Sequence, residues 1–403
     1  MTCPIEEDPS KQMPKTLKAA KRFSGKTARA FDLSDKAYDL EREGRDIIHL
    51  SVGDPDFDTP GVVIDTAVSS LRSGRTHYSP IPGEPALRRA IAAQASEKYG
   101  QPVTADQVVV FSGAQNALFA TMICMAEVGD EVILVEPAYT TYDAIAASGG
   151  ARAVRVALSA EDGFQIDARK IEKGITSKTR AILINSPGNP SGTVFRRPDL
   201  EALIALCRTK GIWLISDEVY WPYIYNGEHV SPYSLDCGPQ TTFVINSLSK
   251  SHAMTGWRLG WVIAPPNLVH HLIDVAQCML FGVSQFVQDA AVTALTAKPP
   301  ELDEMKRAFR ERRDSLCAGL GRVRGIKPHV PAGGMFLLAD VSETGLDGYE
   351  FAERLLQDQG LSVVPGFGFG DSLSNFVRIG YLSSTEILDE AVRRIERFVG
   401  ALP

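Results

Sequence analysis

The sequence predicts an α/β protein whose large domain holds a mostly parallel mixed sheet with helices on both faces, joined to a smaller α+β domain. Short apolar runs alternate with amphipathic segments between residues 107 and 263, as expected for parallel strands joined by helical crossovers. Small polar and glycine-containing turns close most of these runs. Beyond residue 265 long helical segments replace the alternation, which indicates a second, smaller unit.

The composition is that of a globular protein that works in water. The chain has 403 residues, 44% of them apolar and 23% charged, and a formal net charge of −7. This balance gives no reason to expect nucleic acid or an anionic membrane as a partner. No apolar run approaches the roughly 20 residues of a membrane span. Six scattered cysteines predict reduced thiols, a cytoplasmic location and no metal site.

We predict four regions along the chain. They are an N-terminal arm at residues 1–30, the first part of the small domain at 31–60, the large domain at 61–298 and the C-terminal small domain at 299–403. A helix at 31–44 is closed by Gly44, and a short strand at 47–52 leads into a turn-rich loop. Gly53 in that loop could let backbone amides approach a ligand, although an ordinary turn is an equal alternative.

Two helices precede the first strand of the large domain. They are predicted at 61–73 and 84–99, and a proline-punctuated loop that contains Tyr78 joins them. The strand at 107–111 breaks into Ser112-Gly113-Ala114-Gln115 and continues as an apolar helix. Backbone N–H groups at such a turn, together with the helix dipole, form an anion site.

The later strands of the large domain each end in a polar or aromatic side chain. Tyr139 follows a strand at 131–135, Asn189 follows one at 180–185, and Asp217 and Tyr220 follow one at 211–216. Ligands of parallel sheets bind beyond the carboxyl ends of the strands, so we expect these side chains to converge. A buried acid such as Asp217 needs a partner, which could be a pyridinium N–H, a salt bridge or a helix N-terminus.

Lys250 and Arg258 follow the last apolar run of this region. Desolvation at a strand end lowers the pKa of an amine and favours attack on a carbonyl. Arg258, at the end of Gly-Trp-Arg, is suited to a phosphate. A nucleophilic lysine followed by a phosphate-binding arginine points to pyridoxal 5′-phosphate (PLP), although most lysines and arginines in such places are ordinary surface residues.

The C-terminal part contributes one buried charge. We predict long helices at 267–298 and 300–322, strands at 333–339 and 375–380, and a last helix at 385–398. The Gly366, Gly368, Gly370 run opens no helix, so we reject a dinucleotide site. Arg378 lies inside the apolar strand at 375–380 and needs an anion, either a substrate carboxylate or a structural acid.

These motifs together resemble the class I/II aminotransferases of PLP fold type I, the aspartate aminotransferase group. The resemblance runs from about residue 32 to the end and rests on Asn189-Pro-Ser-Gly192, Ser216-Asp-Glu-Val-Tyr220, Ser247-Leu-Ser-Lys250, Gly256-Trp-Arg258 and Val377-Arg-Ile-Gly380. Longer stretches, at 50–60, 227–232 and 246–258, resemble the bacterial arginine–pyruvate transaminases. The resemblance implies a twofold dimer with its sites at the subunit interface.

The resemblance also implies a role for each site residue. Lys250 would carry the cofactor and move the substrate proton, and Asp217 would pair with the pyridinium nitrogen. Asn189 and Tyr220 would bind the phenolic oxygen, and Tyr139 would stack on the ring. The phosphate ligands implied are Gly113, Ala114, Ser247 and Arg258, with Tyr78 from the partner subunit and a contact to Gln115 left open. The substrate ligands implied are Arg378, the Gly53 backbone and Asn189.

The predicted reaction is transfer of an amino group from an L-amino acid to a 2-oxo acid such as pyruvate or 2-oxoglutarate, by a ping-pong mechanism. Residues 277–281 are uncharged where one subgroup of aspartate aminotransferases keeps an arginine, so arginine or another long or neutral donor is preferred. An aspartate, aromatic or alanine aminotransferase and a C–S β-lyase are the alternatives. A PLP-sensing regulator is disfavoured because only about 30 residues precede the fold, too few for a DNA-binding module.

Overall fold

The computed structural model describes Phe23, residues 27–236 and residues 241–403. Most of the predicted N-terminal arm, together with Cys3 and Cys237, lies outside the described residues. The strands are β1 (Ile48–His49), β2 (Val108–Phe111), β3 (Glu131–Glu136), β4 (Arg152–Ala157), β5 (Thr179–Asn185), β6 (Trp213–Asp217), β7 (Thr242–Ser247), β8 (Gly260–Ile263), β9 (Lys327–His329), β10 (Phe336–Asp340), β11 (Leu361–Ser362), β12 (Val364–Pro365) and β13 (Phe376–Gly380).

The α-helices are α1 (Asp32–Arg42), α2 (Gly61–Arg72), α3 (Pro85–Tyr99), α4 (Ala114–Met125), α5 (Tyr142–Ser148), α6 (Ala168–Gly174), α7 (Arg197–Lys210), α8 (Pro232–Leu235), α9 (Leu248–Ser251), α10 (Val269–Met279), α11 (Gln285–Ala297), α12 (Glu301–Leu320), α13 (Gly348–Gln359) and α14 (Thr385–Gly400). Short 3₁₀ turns occupy Thr27–Phe31, Ala105–Gln107, Thr255–Trp257, Pro266–Leu268, Ser342–Thr344, Gly366–Phe369 and Asp371–Leu373. No helix among the described residues combines the length and apolar character needed to cross a membrane.

A seven-stranded sheet of order β2-β8-β7-β6-β5-β3-β4 forms the centre of the larger part of the molecule. Strand β8 is antiparallel to both of its neighbours, β2 and β7, and the other adjacent pairs are parallel. Both faces are covered, since along β2 Val109 and Phe111 enter one apolar core while Val108 and Val110 enter another. The predicted mostly parallel mixed sheet with helices on both faces is therefore confirmed.

The C-terminal part forms a smaller antiparallel sheet of order β12-β13-β10-β9. A separate parallel pair joins β1 to β11, so the first part of the chain is tied to its last part. The core beside these sheets includes Phe309, Phe351 and Ile379, and it also includes Tyr220, which follows the central strand β6. The central sheet and the smaller sheet thus meet at one edge. The domain boundaries at 60 and 298 stay predictions.

Two predicted elements differ from the structure, and several observed elements were not predicted. The helix predicted at 267–298 is two helices, α10 and α11, because Phe281 and Gly282 have φ values of +56° and +105°. A Cβ on Gly282 would lie 2.7 Å from the Ser79 side-chain oxygen, so close packing against another loop sets this break. The strand predicted at 47–52 has only two residues, and β4, α5 and α13 are among the elements that were not predicted.

Candidate active site

A cavity of about 440 Å³ opens at the carboxyl ends of β5, β6 and β7. The order of the sheet places these ends side by side, with Asn185 opposite Asp217 and Asp217 opposite Ile245. Most of the predicted site residues line this cavity: Gly53, Ala114, Gln115, Tyr139, Asn189, Asp217, Tyr220, Ser247, Lys250, Arg258 and Arg378. The expected convergence beyond the strand ends is therefore confirmed for Tyr139, Asn189, Asp217, Tyr220 and Lys250, which come from four separate segments of the chain.

Lys250 lies on the one-turn helix α9, directly after β7. Ser247 begins that helix because its side chain accepts the Ser249 N–H at 2.9 Å. The Lys250 amine donates to the Gly53 carbonyl, so it points toward the loop after β1. Burial lowers the pKa of Lys250 to about 8; Asp54 opposes this shift, and the cations Arg378 and Arg258 add to it. A larger neutral fraction than in an exposed lysine, and with it nucleophilic and basic character, is thus available near neutral pH.

Asp217 is the buried carboxylate of the cavity, with 5% of its surface exposed. Its Oδ2 accepts the Tyr142 hydroxyl at 2.7 Å, and its Oδ1 accepts the Val219 N–H at 3.2 Å. None of the described basic side chains forms an ion pair with it. Burial raises the pKa of Asp217 to about 6 and adjacent Glu218 adds to the shift, while the two hydrogen bonds oppose it. The carboxylate has partners that orient it and lacks a cation.

Asn189 forms hydrogen bonds with both the Tyr220 phenol and the Arg378 guanidinium. Its Nδ2 donates to the Tyr220 hydroxyl at 3.1 Å, and its Oδ1 accepts Arg378 Nη1 at 3.0 Å. The loop is held in place because the Asn189 N–H donates to Asn185 Oδ1 at 2.7 Å. Burial raises the pKa of Tyr220 above its ordinary value and nearby Tyr139 adds to this, while Asn189 partly offsets it. The phenol therefore remains protonated at neutral pH.

Arg378, on β13, is a buried cation with spare hydrogen-bonding capacity. It is 2% exposed, and its Cζ lies 4.1 Å from the centroid of the Phe336 ring. Besides Asn189 it donates to the Ser51 carbonyl, whereas its Nε has no partner among the described residues. Burial lowers its pKa to about 10 against the opposing influence of Tyr139 and Tyr220. No described acid pairs with it, which favours a bound carboxylate over a structural acid.

The N-terminus of α4 and Arg258 form a cradle suited to an anion. Gly113, which precedes the helix, has φ +89°, and a Cβ there would lie 2.7 Å from Arg258 Nη2. A Cβ on Gly260 would lie 2.4 Å from the Ala114 nitrogen, so strand β8 packs directly beneath this turn. The first N–H groups of α4 and the guanidinium thus face one small region, which suits a phosphate.

The remaining predicted residues differ in their placement. Tyr139 is half-buried and packs edge-on against Tyr142, with ring centroids 5.9 Å apart. Gln115 lines the cavity and accepts the Thr141 hydroxyl at 3.3 Å. Tyr78 is 80% exposed, packs against Phe281 at 5.0 Å and is not among the cavity-lining residues. Its predicted role toward a partner subunit stays a prediction.

Two polar residues that sequence reasoning did not select contribute to the site. Tyr142 orients Asp217, and Asn185 holds the Asn189 loop. Asn185 carried a signal, since it is the last residue of a strand at the same sheet edge. No local feature of the sequence marks Tyr142, because only the packing of α5 against the sheet brings its hydroxyl to Asp217.

Comparison with known proteins agrees with this geometry. Residues 45–395 match the family of class I and II aminotransferases. The chain is 47% identical over 374 residues to the arginine–pyruvate transaminase AruH of Pseudomonas aeruginosa, covering 93% of this chain and 95% of the relative. It is 36% identical over 368 residues to the aspartate/prephenate aminotransferase of Thermus thermophilus, covering 91% and 94%.

Solved structures give the same answer. The structure of the aspartate aminotransferase of Thermus thermophilus with maleate superposes on this chain with a TM-score of 0.91 at 34% identity. The superposition covers 96% of this chain and 100% of the other. The aspartate aminotransferase of Rhizobium meliloti superposes with a TM-score of 0.92 at 32% identity, covering 97% and 100%. Family match, relatives and fold all agree with the arrangement of the cavity, and the chain belongs to the class I and II aminotransferases.

Proposed function

We propose that this aminotransferase uses PLP to move the α-amino group of a long L-amino acid, arginine being the first candidate, to a 2-oxo acid such as pyruvate or 2-oxoglutarate. The relative that is 47% identical is named an arginine–pyruvate transaminase. The uncharged stretch at 277–281 supports a donor other than aspartate. A ping-pong order follows from the use of one cavity for both substrates.

The observation that carries the cofactor assignment is Asp217. A buried carboxylate without a cationic partner is costly, and the pyridinium N–H of PLP would supply the missing cation. Lys250 lines the same cavity, so its amine could reach the carbonyl of the same molecule. The residues present therefore fit PLP, since Asp217 would pair with its pyridinium N–H and Lys250 would reach its carbonyl.

The cradle described above would hold the phosphate. The N–H groups at Gly113 and Ala114 and the Arg258 guanidinium are the proposed ligands. The Ser247 hydroxyl now donates to the Leu259 carbonyl at 2.8 Å, so it would have to turn to serve as a fourth ligand. Gln115 lines the cavity, and a contact from it to the cofactor is part of the proposal.

The protein's own groups supply binding and proton transfer. Bound PLP would contribute an electrophilic carbonyl and a ring that accepts the electrons left on the substrate Cα. Arg378 would take the substrate carboxylate, assisted by Asn189 and the Gly53 backbone. Lys250, whose pKa burial lowers to about 8, would then remove the Cα proton as a base. Tyr220 and Asn189 would hold the phenolic oxygen, and Tyr139 would stack on the ring.

We further propose a twofold dimer in which Tyr78 reaches the partner's phosphate. Tyr78 and Phe281 form an aromatic pair that is 80% and 48% exposed in the single chain, which suits a protein interface. A cytoplasmic location is proposed from the cysteines, since Cys124, Cys207, Cys278 and Cys317 are all unpaired.

The test is transfer of labelled nitrogen. Purified protein supplied with PLP is given L-arginine labelled with ¹⁵N at the α-position, together with pyruvate, and the labelled alanine is measured by mass spectrometry. We expect labelled alanine from wild type and none from Lys250→Ala. Transfer from alanine, aspartate or an aromatic donor only would overturn the choice of arginine. Release of pyruvate and ammonia from cystathionine without an acceptor would replace the transaminase by a C–S β-lyase.

A further inference from the structure

One face of helix α1 forms a wall of the active-site cavity. Ser34, Asp35 and Tyr38 line it together with Phe31, which directly precedes the helix, and their spacing of three and four residues puts them on one side. The Phe31 side chain touches the proposed carboxylate site, because Arg378 Cζ lies 5.6 Å from the centroid of the Phe31 ring. The other three extend away from that point along the helix.

Asp35 is an acid without a partner on this face. The cavity is lined by two carboxylates, and Asp217 already accepts two hydrogen bonds. Asp35 is exposed and forms no hydrogen bond or ion pair with the described residues, whereas its neighbours Lys36 and Asp39 pair with Glu353 and Arg42. A carboxylate without a hydrogen-bond or ion-pair partner among the described residues thus lines the cavity.

Ser34 supplies a second, independent observation. It is 4% exposed and lines the same cavity, yet its hydroxyl oxygen has no hydrogen-bond partner among the described residues. A serine in the first turn of a helix commonly bonds to nearby backbone, and a buried hydroxyl without any partner is unusual. A ligand with several N–H donors could satisfy both Ser34 and Asp35.

The distance between residues along α1 sets the length that such a ligand must have. Asp35 is four residues beyond Phe31, which corresponds to a rise of about 6 Å along a helix. An amino acid whose α-carboxylate is bound by Arg378, and whose side chain runs along this face, needs a side chain as long as that of arginine or lysine to reach Asp35. The Phe31 and Tyr38 rings would flank its methylene groups and guanidinium. Tyr38 is itself held by stacking on His49, with centroids 4.4 Å apart.

We propose that Asp35, together with the Ser34 hydroxyl, binds the cationic end of the amino donor and so determines its preference for a long basic amino acid. This proposal rests on the transaminase function proposed above and deepens it. Asp35 acts on specificity alone, since the chemistry takes place at Lys250. A guanidinium can donate to a carboxylate and to a hydroxyl at once, which makes arginine the donor that this pair of acceptors fits best.

The test compares L-arginine with L-citrulline, which has the same shape and no charge. Asp35→Asn keeps the shape of the side chain and removes its charge, and Asp39→Asn on the same helix is the matched control, since Asp39 pairs with Arg42. We expect the ratio of kcat/KM for arginine to that for citrulline to fall about 10-fold or more in Asp35→Asn, mainly through KM. The control should keep the wild-type ratio.

A variant with the opposite charge at residue 35 provides a second test. Asp35→Lys should favour L-glutamate over L-arginine relative to wild type, because the new cation repels a guanidinium and attracts a carboxylate. A ratio that is unchanged in Asp35→Asn, or a wild-type ratio near one, would overturn the assignment of Asp35 while leaving the transaminase in place. A wild-type protein that transfers nitrogen from no donor would overturn both proposals.

Discussion

The site depends on two buried titratable groups whose surroundings push both toward their neutral forms. Burial raises the pKa of Asp217 to about 6 and lowers that of Lys250 to about 8. A bound cation at Asp217 would restore its charge, and a partly neutral Lys250 can act as a base near neutral pH. Perturbed groups of this kind, facing one cavity, are typical of catalytic sites.

The pKa of Asp217 predicts how the stability of cofactor-free protein depends on pH. The pKa of this carboxyl is about 4 in the unfolded chain, and burial raises it to about 6 in the folded one. Between these values the folded state binds more protons, so the free energy of unfolding falls as pH rises. Relative to Asp217→Asn, wild type should lose about 2–3 kcal/mol between pH 4 and pH 7. Denaturant unfolding of both proteins measures this difference.

The cofactor supplies the control for that measurement. With PLP bound, the pyridinium should keep Asp217 charged, and the fall in stability should shrink or reverse. Curves for wild type and Asp217→Asn that remain parallel without cofactor would show that burial does not perturb this carboxyl.

At the scale of single elements, turns and strand ends place the reactive groups. The turn before α4 requires Gly113, whose φ of +89° and ψ of +161° lie in a region that is essentially restricted to glycine. The same turn brings Arg258 against the helix N-terminus, so backbone conformation and anion binding depend on one residue.

Gly113→Ala should therefore weaken PLP binding as well as stability. We expect about 1–3 kcal/mol of backbone strain and, because the new Cβ displaces Arg258, a PLP dissociation constant raised about 10-fold or more. Gly129→Ala is the matched control, since Gly129 has φ +101° and no atom within 4 Å of an added Cβ. Equal PLP affinity of the two variants, measured by fluorescence titration, would contradict a role for this turn in phosphate binding.

A buried ionic network connects the end of β6 to α3 beside the site. Glu218 accepts from Lys98 at 3.1 Å and Tyr99 at 3.2 Å, and its Oε2 lies 3.0 Å from His229 Nε2. Although burial alone would raise it, Lys98 and His229 hold the pKa of Glu218 well below its ordinary value. The network thus keeps a charged carboxylate next to Asp217 in sequence.

Glu218→Gln should destabilise the fold strongly, because it leaves the Lys98 cation buried without its counter-ion. We expect a loss of about 3 kcal/mol or more in the free energy of unfolding. The control is Glu172→Gln, which removes an exposed partner of Lys210 at the similar distance of 3.0 Å. An exposed pair contributes about 0–1 kcal/mol, so comparable losses in both variants would refute the importance of the buried network.

At the scale of the whole molecule, the site lies where the central sheet meets the smaller one. Arg378 comes from β13, Lys250 follows β7, and the α1 face closes the same cavity. The proposed dimer adds a fourth contributor through Tyr78, which the single chain leaves 80% exposed.

Mixing two inactive variants tests whether Tyr78 acts on the partner's site. A dimer of one Tyr78→Ala chain and one Lys250→Ala chain would contain a single site with both native residues. Co-refolded mixtures should regain about a quarter of wild-type activity, since half the dimers are hybrids with one intact site. Each variant refolded alone provides the baseline. A mixture no more active than the sum of its parts would place Tyr78 in its own subunit's site or outside any site.

Local pattern selected several of the residues that line the cavity. Lys250 and Asp217 were predicted because a polar residue at the end of a buried strand is visible in the sequence, and Arg378 because a charge inside an apolar strand needs a partner. The class of fold followed from the alternation of strands and helices. These inferences depend on neighbours within a few residues, which the sequence contains directly.

Only the tertiary structure decided which segments face one another. Tyr142 reaches Asp217 across 75 residues of chain. Ser34 and Asp35 line the cavity beside Phe31, whose ring centroid lies 5.6 Å from Arg378 Cζ. The break between α10 and α11 likewise follows from the approach of Gly282 to Ser79. Periodicity tells which side of an element is buried, but the identity of the opposing element is set by sheet order and long-range packing, which no local pattern encodes.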